Sequence, residues 1–172
     1  MKWVTREYIH LDRVASPWLI RRFVDPKAEF VFVPWGKEDT RPADAIPFAI
    51  PGAELGPHDE HGTTFEKILR KYKLTDPALA LMGQIFHDAI AHPPKRDQLP
   101  SADGIGIYAI SEGMLLMASD DLDDLDRSMA LYDAIYAYCK QKYLIEADKS
   151  LGEGGFARLQ ALRPKIKAAL KA

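Results

Sequence analysis

Histidine and carboxylate side chains stand close together at three places in this chain. His10 and Asp12 are two residues apart in an expected extended segment, where alternate side chains point to the same side. His58 lies in a loop rich in proline and glycine, and His87 precedes Asp88 on an expected helix. Neutral imidazole and carboxylate together are ligands of zinc, iron or manganese. The pattern indicates metal binding or proton transfer, although His10 and His87 taken singly are better explained by structural hydrogen bonds.

Arginines follow the first pair directly and predict an anion site. The Ser-Pro pair at 16–17 is typical of a helix start, and on that helix Arg22 shares a face with apolar side chains. A guanidinium on an apolar face needs a partner, which a carboxylate or a bound anion would supply equally well. Arg13 is placed to reach back to the strand end, and Arg21 lies off the apolar face. The candidate carboxylate partners are Asp12 and Asp133.

The elements that must position these side chains are mostly helical. Apolar patterns and turn residues predict strands over 2–10 and 30–33, with a further one near 47–50, and helices over 17–25, 64–73, 77–92, 104–117 and 121–146. The segment between 34 and 62 reads as irregular, and long loops in compact domains are often functional. We expect an α+β fold, a mostly helical single domain with a small N-terminal β-sheet.

The C-terminal residues 148–172 are expected to form a flexible link followed by a basic amphipathic helix. This helix would dock on its own chain or exchange between subunits, so a homo-oligomer is one open outcome. Its basic residues are Arg158, Arg163, Lys165, Lys167 and Lys171.

Composition excludes several classes of protein. The 172 residues carry 23 basic and 25 acidic side chains, so no global field favours nucleic acid or an anionic membrane. The single cysteine, Cys139, rules out an internal disulfide and fits a reducing compartment. The N-terminus lacks the apolar run of a signal peptide, and no stretch is long enough to span a bilayer. We expect a cytoplasmic protein without membrane or direct nucleic-acid partners.

Seven segments of the chain together resemble the chromate-resistance domain of the ChrB type. The likeness extends over roughly 2–143, and domain bounds of 1–147 follow from it. Because such relatives carry a further N-terminal region, this chain is expected to be a stand-alone form. The matching segments are Trp3-Val4-Thr5-Arg6, His10-x-Asp12-Arg13-x-Ala15, the run 17–25, Pro51-Gly52-Ala53-Glu54-Leu55-Gly56-x-His58, Thr64-Phe65-Glu66, His87-Asp88 and the run 132–137.

The resemblance implies a role in chromate resistance or a related stress, through binding of a divalent metal ion, a tetrahedral oxyanion such as chromate, or both. The expected metal ligands are His10, Asp12, His58, His87 and Asp88, and the expected anion-binding residues are Arg13, Arg21 and Arg22. Relatives usually have a cysteine where Thr63 stands and an aspartate where His61 stands, so thiol chemistry is not expected there. Glu66 and His61 are expected to support the ligands.

Two other functions remain open from the sequence, and whether the protein is an enzyme at all is undecided. His58, the His87-Asp88 pair and Asp133 are loosely similar to the HD phosphohydrolases, in which a metal-bound water is the nucleophile. Alternatively, the domain is a non-catalytic regulatory or partner-binding module that uses the basic tail or the long helix.

Overall fold

The structure, a computed structural model, describes residues 1–90, 101–152 and 155–171. Its described strands form one parallel sheet in the order β2-β1-β3, namely β1 (Lys2–Arg6), β2 (Glu29–Val33) and β3 (Ile46–Pro47). Lys2 pairs with Glu29 and Arg6 with Val33, so β1 is central and its carboxyl end lies beside that of β2. Parallel neighbours need a crossover connection, which the first helix supplies.

The first helix, α1 (Asp12–Leu19), begins earlier than the Ser-Pro pair predicts. Pro17 lies inside it, and the chain then widens into a π-helical segment at Ile20–Val24. Proline removes one backbone hydrogen bond within a helix, yet Pro17 is accommodated in α1, which buries the Trp18 side chain completely. The expected helix start at 16–17 is therefore wrong.

The first strand is also shorter than expected, because the chain turns after Arg6. Tyr8 and Leu11 have positive φ angles of 55° and 46°, which end the extended conformation. The carboxylate of Asp121 holds this turn by accepting the backbone N–H groups of Tyr8 (3.1 Å) and Ile9 (2.8 Å). His10 and Asp12 consequently do not lie in one extended segment, because Leu11 turns the chain and Asp12 begins α1, and the reasoning that placed their side chains on one side is wrong.

The remaining helices agree closely with the sequence pattern. They are α2 (Thr64–Lys71), α3 (Pro77–Ile90), α4 (Ala102–Met117), α5 (Asp121–Ala147) and α6 (Gly155–Lys171). Thr63 caps α2 in a capping box with Glu66, and Ser101 and Asp120 cap α4 and α5. Thr63 thus has a structural role as the N-cap of α2. The expected end of α3 near residue 92 lies outside the described residues.

The core lies between the sheet and the helices. Its largest fully buried side chains include Trp3, Trp18, Phe48, Phe65, Phe86, Tyr132 and Tyr136. Helix α6 packs on α5 of its own chain and buries Leu162 to 1% exposure. The α+β, mostly helical architecture with a small N-terminal sheet is confirmed. In the described part of the chain, none of the helices combines the length and apolar character needed to cross a membrane.

Candidate functional site

A cavity of about 360 Å³ opens where β1 ends and α1 begins. Its walls also come from the loop at 49–58, the end of α3 and the middle of α4. The polar residues that line it are Arg6, His10, Asp12, Arg13, His58 and Tyr108. The carboxyl end of a parallel sheet, where this cavity lies, is a common place for ligands in α/β architectures.

Two arginines meet at this cavity on the indole ring of Trp35. The guanidinium carbon of Arg6 lies 3.8 Å from the ring centroid, and that of Arg13 lies 4.8 Å from it. The Trp35 Nε1 atom donates to the carbonyl of Glu7 (2.9 Å), which fixes the ring. Stacking on an aromatic face suits the planar guanidinium and leaves its N–H groups free to point outward.

The hydrogen bonds of these arginines leave part of their donor capacity unused. Arg6 donates to the carbonyl of Ala49 (3.2 Å), and Glu38 is 3.9 Å away, beyond hydrogen-bond distance. The buried Nε atom of Arg6 has no hydrogen-bond partner among the described residues. Arg13 donates to the carbonyl of Tyr8 (2.8 Å). Burial, followed by repulsion from Arg6, lowers the pKa of Arg13 to about 10.

Asp12 is the one carboxylate among the described residues that line the cavity, and its oxygens serve the fold. They accept the backbone N–H groups of Thr64 (2.7 Å) and Phe65 (3.0 Å) at the N-terminus of α2. Burial raises the pKa of Asp12, while these hydrogen bonds oppose the change. Asp12 therefore joins α1 to α2, and the lining of the cavity is dominated by cationic and neutral donors.

His10 enters the cavity beside α4. Its ring meets the edge of Tyr108 with 5.4 Å between centroids, and its Nε2 atom is 3.6 Å from a carboxylate oxygen of Glu112. The neighbouring backbone N–H of Leu11 donates to Ser111 (3.0 Å), which ties the start of α1 to α4.

His58 lies at another edge of the cavity and contacts His87. Their rings are perpendicular, with centroids 5.2 Å apart. The Nδ1 atom of His87 is 3.1 Å from a carboxylate oxygen of Glu66. Burial raises the pKa of Glu66, but hydrogen bonds from the Thr63 backbone and from His87 outweigh it, so the pKa lies below its ordinary value.

The structure does not bring the predicted site residues Asp88 and His61 to the cavity. Asp88 accepts a hydrogen bond from Gln84 (2.9 Å) on the exposed side of α3, and His61 is mostly exposed beside Glu60. No group of three or more histidine, cysteine or acidic residues in the described ranges is arranged to hold a metal ion. Metal binding therefore stays a prediction, and within the predicted ligand set the rings of His58 and His87 are in contact.

Arg21 and Arg22 are engaged in ion pairs with α5. Arg22 binds both carboxylate oxygens of Asp133 (2.8 and 2.7 Å), and the indole of Trp18 donates to the same carboxylate (2.8 Å). Arg21 binds Asp126 (2.9 Å). The structural ion pair left open for Arg22 is therefore present, and of the three predicted arginines Arg13 is the one that lines the cavity.

Sequence reasoning missed Arg6, Trp35 and Tyr108 as site residues. Arg6 is the last residue of β1, and the rule that ligands bind at the carboxyl ends of parallel strands was the available signal. Trp35 and Tyr108 come from a loop and from α4, far along the chain, and no local pattern marks them.

Fold and site define a small α+β domain with a cationic cavity at the end of a parallel sheet. The sequence profile of the family described as "ChrB, C-terminal domain" matches residues 3–139, so the chain belongs to this family. It is 34% identical over 140 residues to Protein ChrB of Cupriavidus metallidurans. That match covers 80% of this chain but 40% of the relative, so the chain spans well under half of the relative's length. No solved structure matches the chain.

Proposed function

We propose that this domain contributes to chromate resistance by binding a tetrahedral oxyanion such as chromate in the cavity at the end of β1. The observation that carries the proposal is the pair of arginines, Arg6 and Arg13, stacked on Trp35 with N–H donors left over. Membership of the ChrB family supports the link to chromate. The geometry supports the chemistry of an anion receptor.

Electrostatics favour an anion at this place. Two guanidinium groups held on one ring repel each other, and burial removes much of the water that would screen them. A dianion in the cavity that both arginines line would relieve this repulsion and accept hydrogen bonds from their unpaired N–H groups. Hydrogen bonds between charged groups are the stronger kind, worth about 1.5–3 kcal/mol each.

The other lining residues make the cavity wall partly polar and partly apolar. His10, His58 and Tyr108 add polar groups to the lining, and the apolar side chains of Leu11 and Ile90 line the rest of the cavity. The cavity volume of about 360 Å³ exceeds that of one small anion, so water molecules would share the space.

Binding rather than thiol-driven reduction is the activity that these residues support. The single cysteine, Cys139, is buried in α5, and burial raises the pKa of its thiol to about 12. A thiol in this state is a poor nucleophile at neutral pH.

Equilibrium dialysis with chromate, carried out in the presence of a metal chelator, tests the proposal. We expect saturable binding of one chromate per chain, displaced by sulfate because both are tetrahedral dianions, and not displaced by the same ionic strength of chloride. Absence of saturable binding, or equal displacement by chloride, would contradict the proposal, because non-specific attraction of anions depends on ionic strength alone.

A further inference from the structure

We propose that His58 and His87 form a separate binding site for a divalent transition-metal ion at the edge of the oxyanion cavity. This inference does not depend on oxyanion binding, since it uses neither Arg6 nor Arg13. It rests on the contact of the two imidazole rings and on the carboxylate that orients one of them.

The hydrogen bond to Glu66 prepares His87 as a ligand. An ionised carboxylate only accepts hydrogen bonds, so the Nδ1–H group of His87 is the donor in the 3.1 Å hydrogen bond to Glu66. In the tautomer with the hydrogen on Nδ1, the Nε2 atom carries the electron pair that can bind a metal ion. A histidine whose second nitrogen donates to a carboxylate is the usual form of a metal-binding histidine, because the carboxylate fixes the tautomer and raises the basicity of the ring.

The spacing of the two rings matches shared coordination. Two imidazoles bound to one tetrahedral ion, with metal–nitrogen distances of about 2.0–2.1 Å, place their ring centres roughly 5 Å apart. The centroids of His58 and His87 are 5.2 Å apart. The His87 side chain is 36% exposed, so an ion can reach it from solvent.

The backbone around His58 is held in place before any ion binds. The buried ammonium group of Lys67 donates to the carbonyl of Pro57 (2.7 Å) and to the carboxylate of Asp59 (2.7 Å), the two neighbours of His58. Lys67 and Glu66 are adjacent on α2, so one helix positions both halves of the site. A preorganised site binds more tightly because less conformational entropy is lost.

Two protein ligands leave the remaining coordination positions to water. Nitrogen ligands of this kind suit zinc, cobalt, nickel or copper. With no third histidine, cysteine or acidic side chain in the described ranges arranged to join them, we expect an exchangeable ion.

Titration of the purified, chelator-treated protein with Co²⁺, followed by its visible absorption, and with Zn²⁺ in competition, tests the site. We expect one ion per chain, with binding at least tenfold weaker in His58→Phe and in His87→Phe, which keep an aromatic ring but lose the nitrogen. The matched control is His61→Phe, three residues from His58 and mostly exposed, which should bind like the wild type. Glu66→Gln preserves the capping box and should weaken binding about tenfold.

The proposal is overturned if the wild type binds no Co²⁺, or if His61→Phe weakens binding as much as His58→Phe does. Thermal unfolding without metal checks the fold of each variant. Should either phenylalanine variant unfold, paramagnetic broadening by Co²⁺ in the wild type decides: the ring protons of His58 and His87 must broaden before those of His61. Because the chromate measurement is made with a chelator and without metal, failure of one site does not affect the other.

Discussion

Replacing Arg13 by glutamine tests most directly whether the arginines that line the cavity, rather than arginines elsewhere on the surface, bind the anion. Arg13→Gln removes the positive charge but keeps a polar, shorter side chain at this position. The matched substitution is Arg21→Gln, which removes the same charge eight residues away, where the guanidinium binds the exposed Asp126 instead of lining the cavity. Both variants change the net charge of the protein equally, so a general field effect is the same in both.

The magnitude follows from the surroundings of Arg13. Two unit charges about 4 Å apart near a protein surface attract by about 4 kcal/mol at an effective dielectric constant of about 20. Desolvation of both groups reduces this gain to about 2 kcal/mol, within the range for a hydrogen bond between charged groups. A loss of about 2 kcal/mol corresponds to a Kd for chromate that is roughly 30-fold higher. For Arg21→Gln we expect a change below about twofold, because charges on the surface are screened.

Isothermal titration calorimetry with chromate, and separately with sulfate, measures both constants at one ionic strength. Urea unfolding of each variant verifies that the fold is intact, and a Trp35→Leu variant should also weaken binding, since the indole positions both guanidinium groups. If Arg13→Gln binds chromate like the wild type, or Arg21→Gln loses as much affinity, the reasoning from the cavity is refuted.

Three further outcomes follow from the structure. Asp133→Ala should lower the free energy of unfolding by about 2 kcal/mol in urea melts, because Arg22 and the Trp18 indole lose their acceptor. The affinity for chromate should not change. A loss of chromate affinity without a loss of stability would indicate that Arg22 belongs to the anion site. Thr63→Ala should cost about 1 kcal/mol in the same assay by removing the cap of α2, whereas Thr63→Ser should cost little. The Cys139 thiol should resist alkylation at pH 8 in the native protein and react after unfolding; rapid native labelling would contradict its burial.

Local signals were sufficient to predict most helices. The capping box of Thr63 and Glu66 marks the start of α2, and the acidic first turn after Asp120 marks the start of α5. These signals act within one helical turn, so they are readable from a short stretch of sequence. At Pro17 the sequence-based boundary was wrong, because the helix that buries Trp18 begins at Asp12 and includes the proline.

The residue types that could bind an anion or a metal were determined by the sequence alone, and so was the family. Their grouping was decided only in three dimensions. Arg22 pairs with Asp133 across 111 residues of sequence, whereas Arg6, absent from the predicted set, joins Arg13 on Trp35. The turn at Tyr8 and Leu11, held by Asp121 from α5, is what brings the end of β1 and the start of α1 to one cavity. Such contacts depend on the packing of distant elements, which no local spacing encodes.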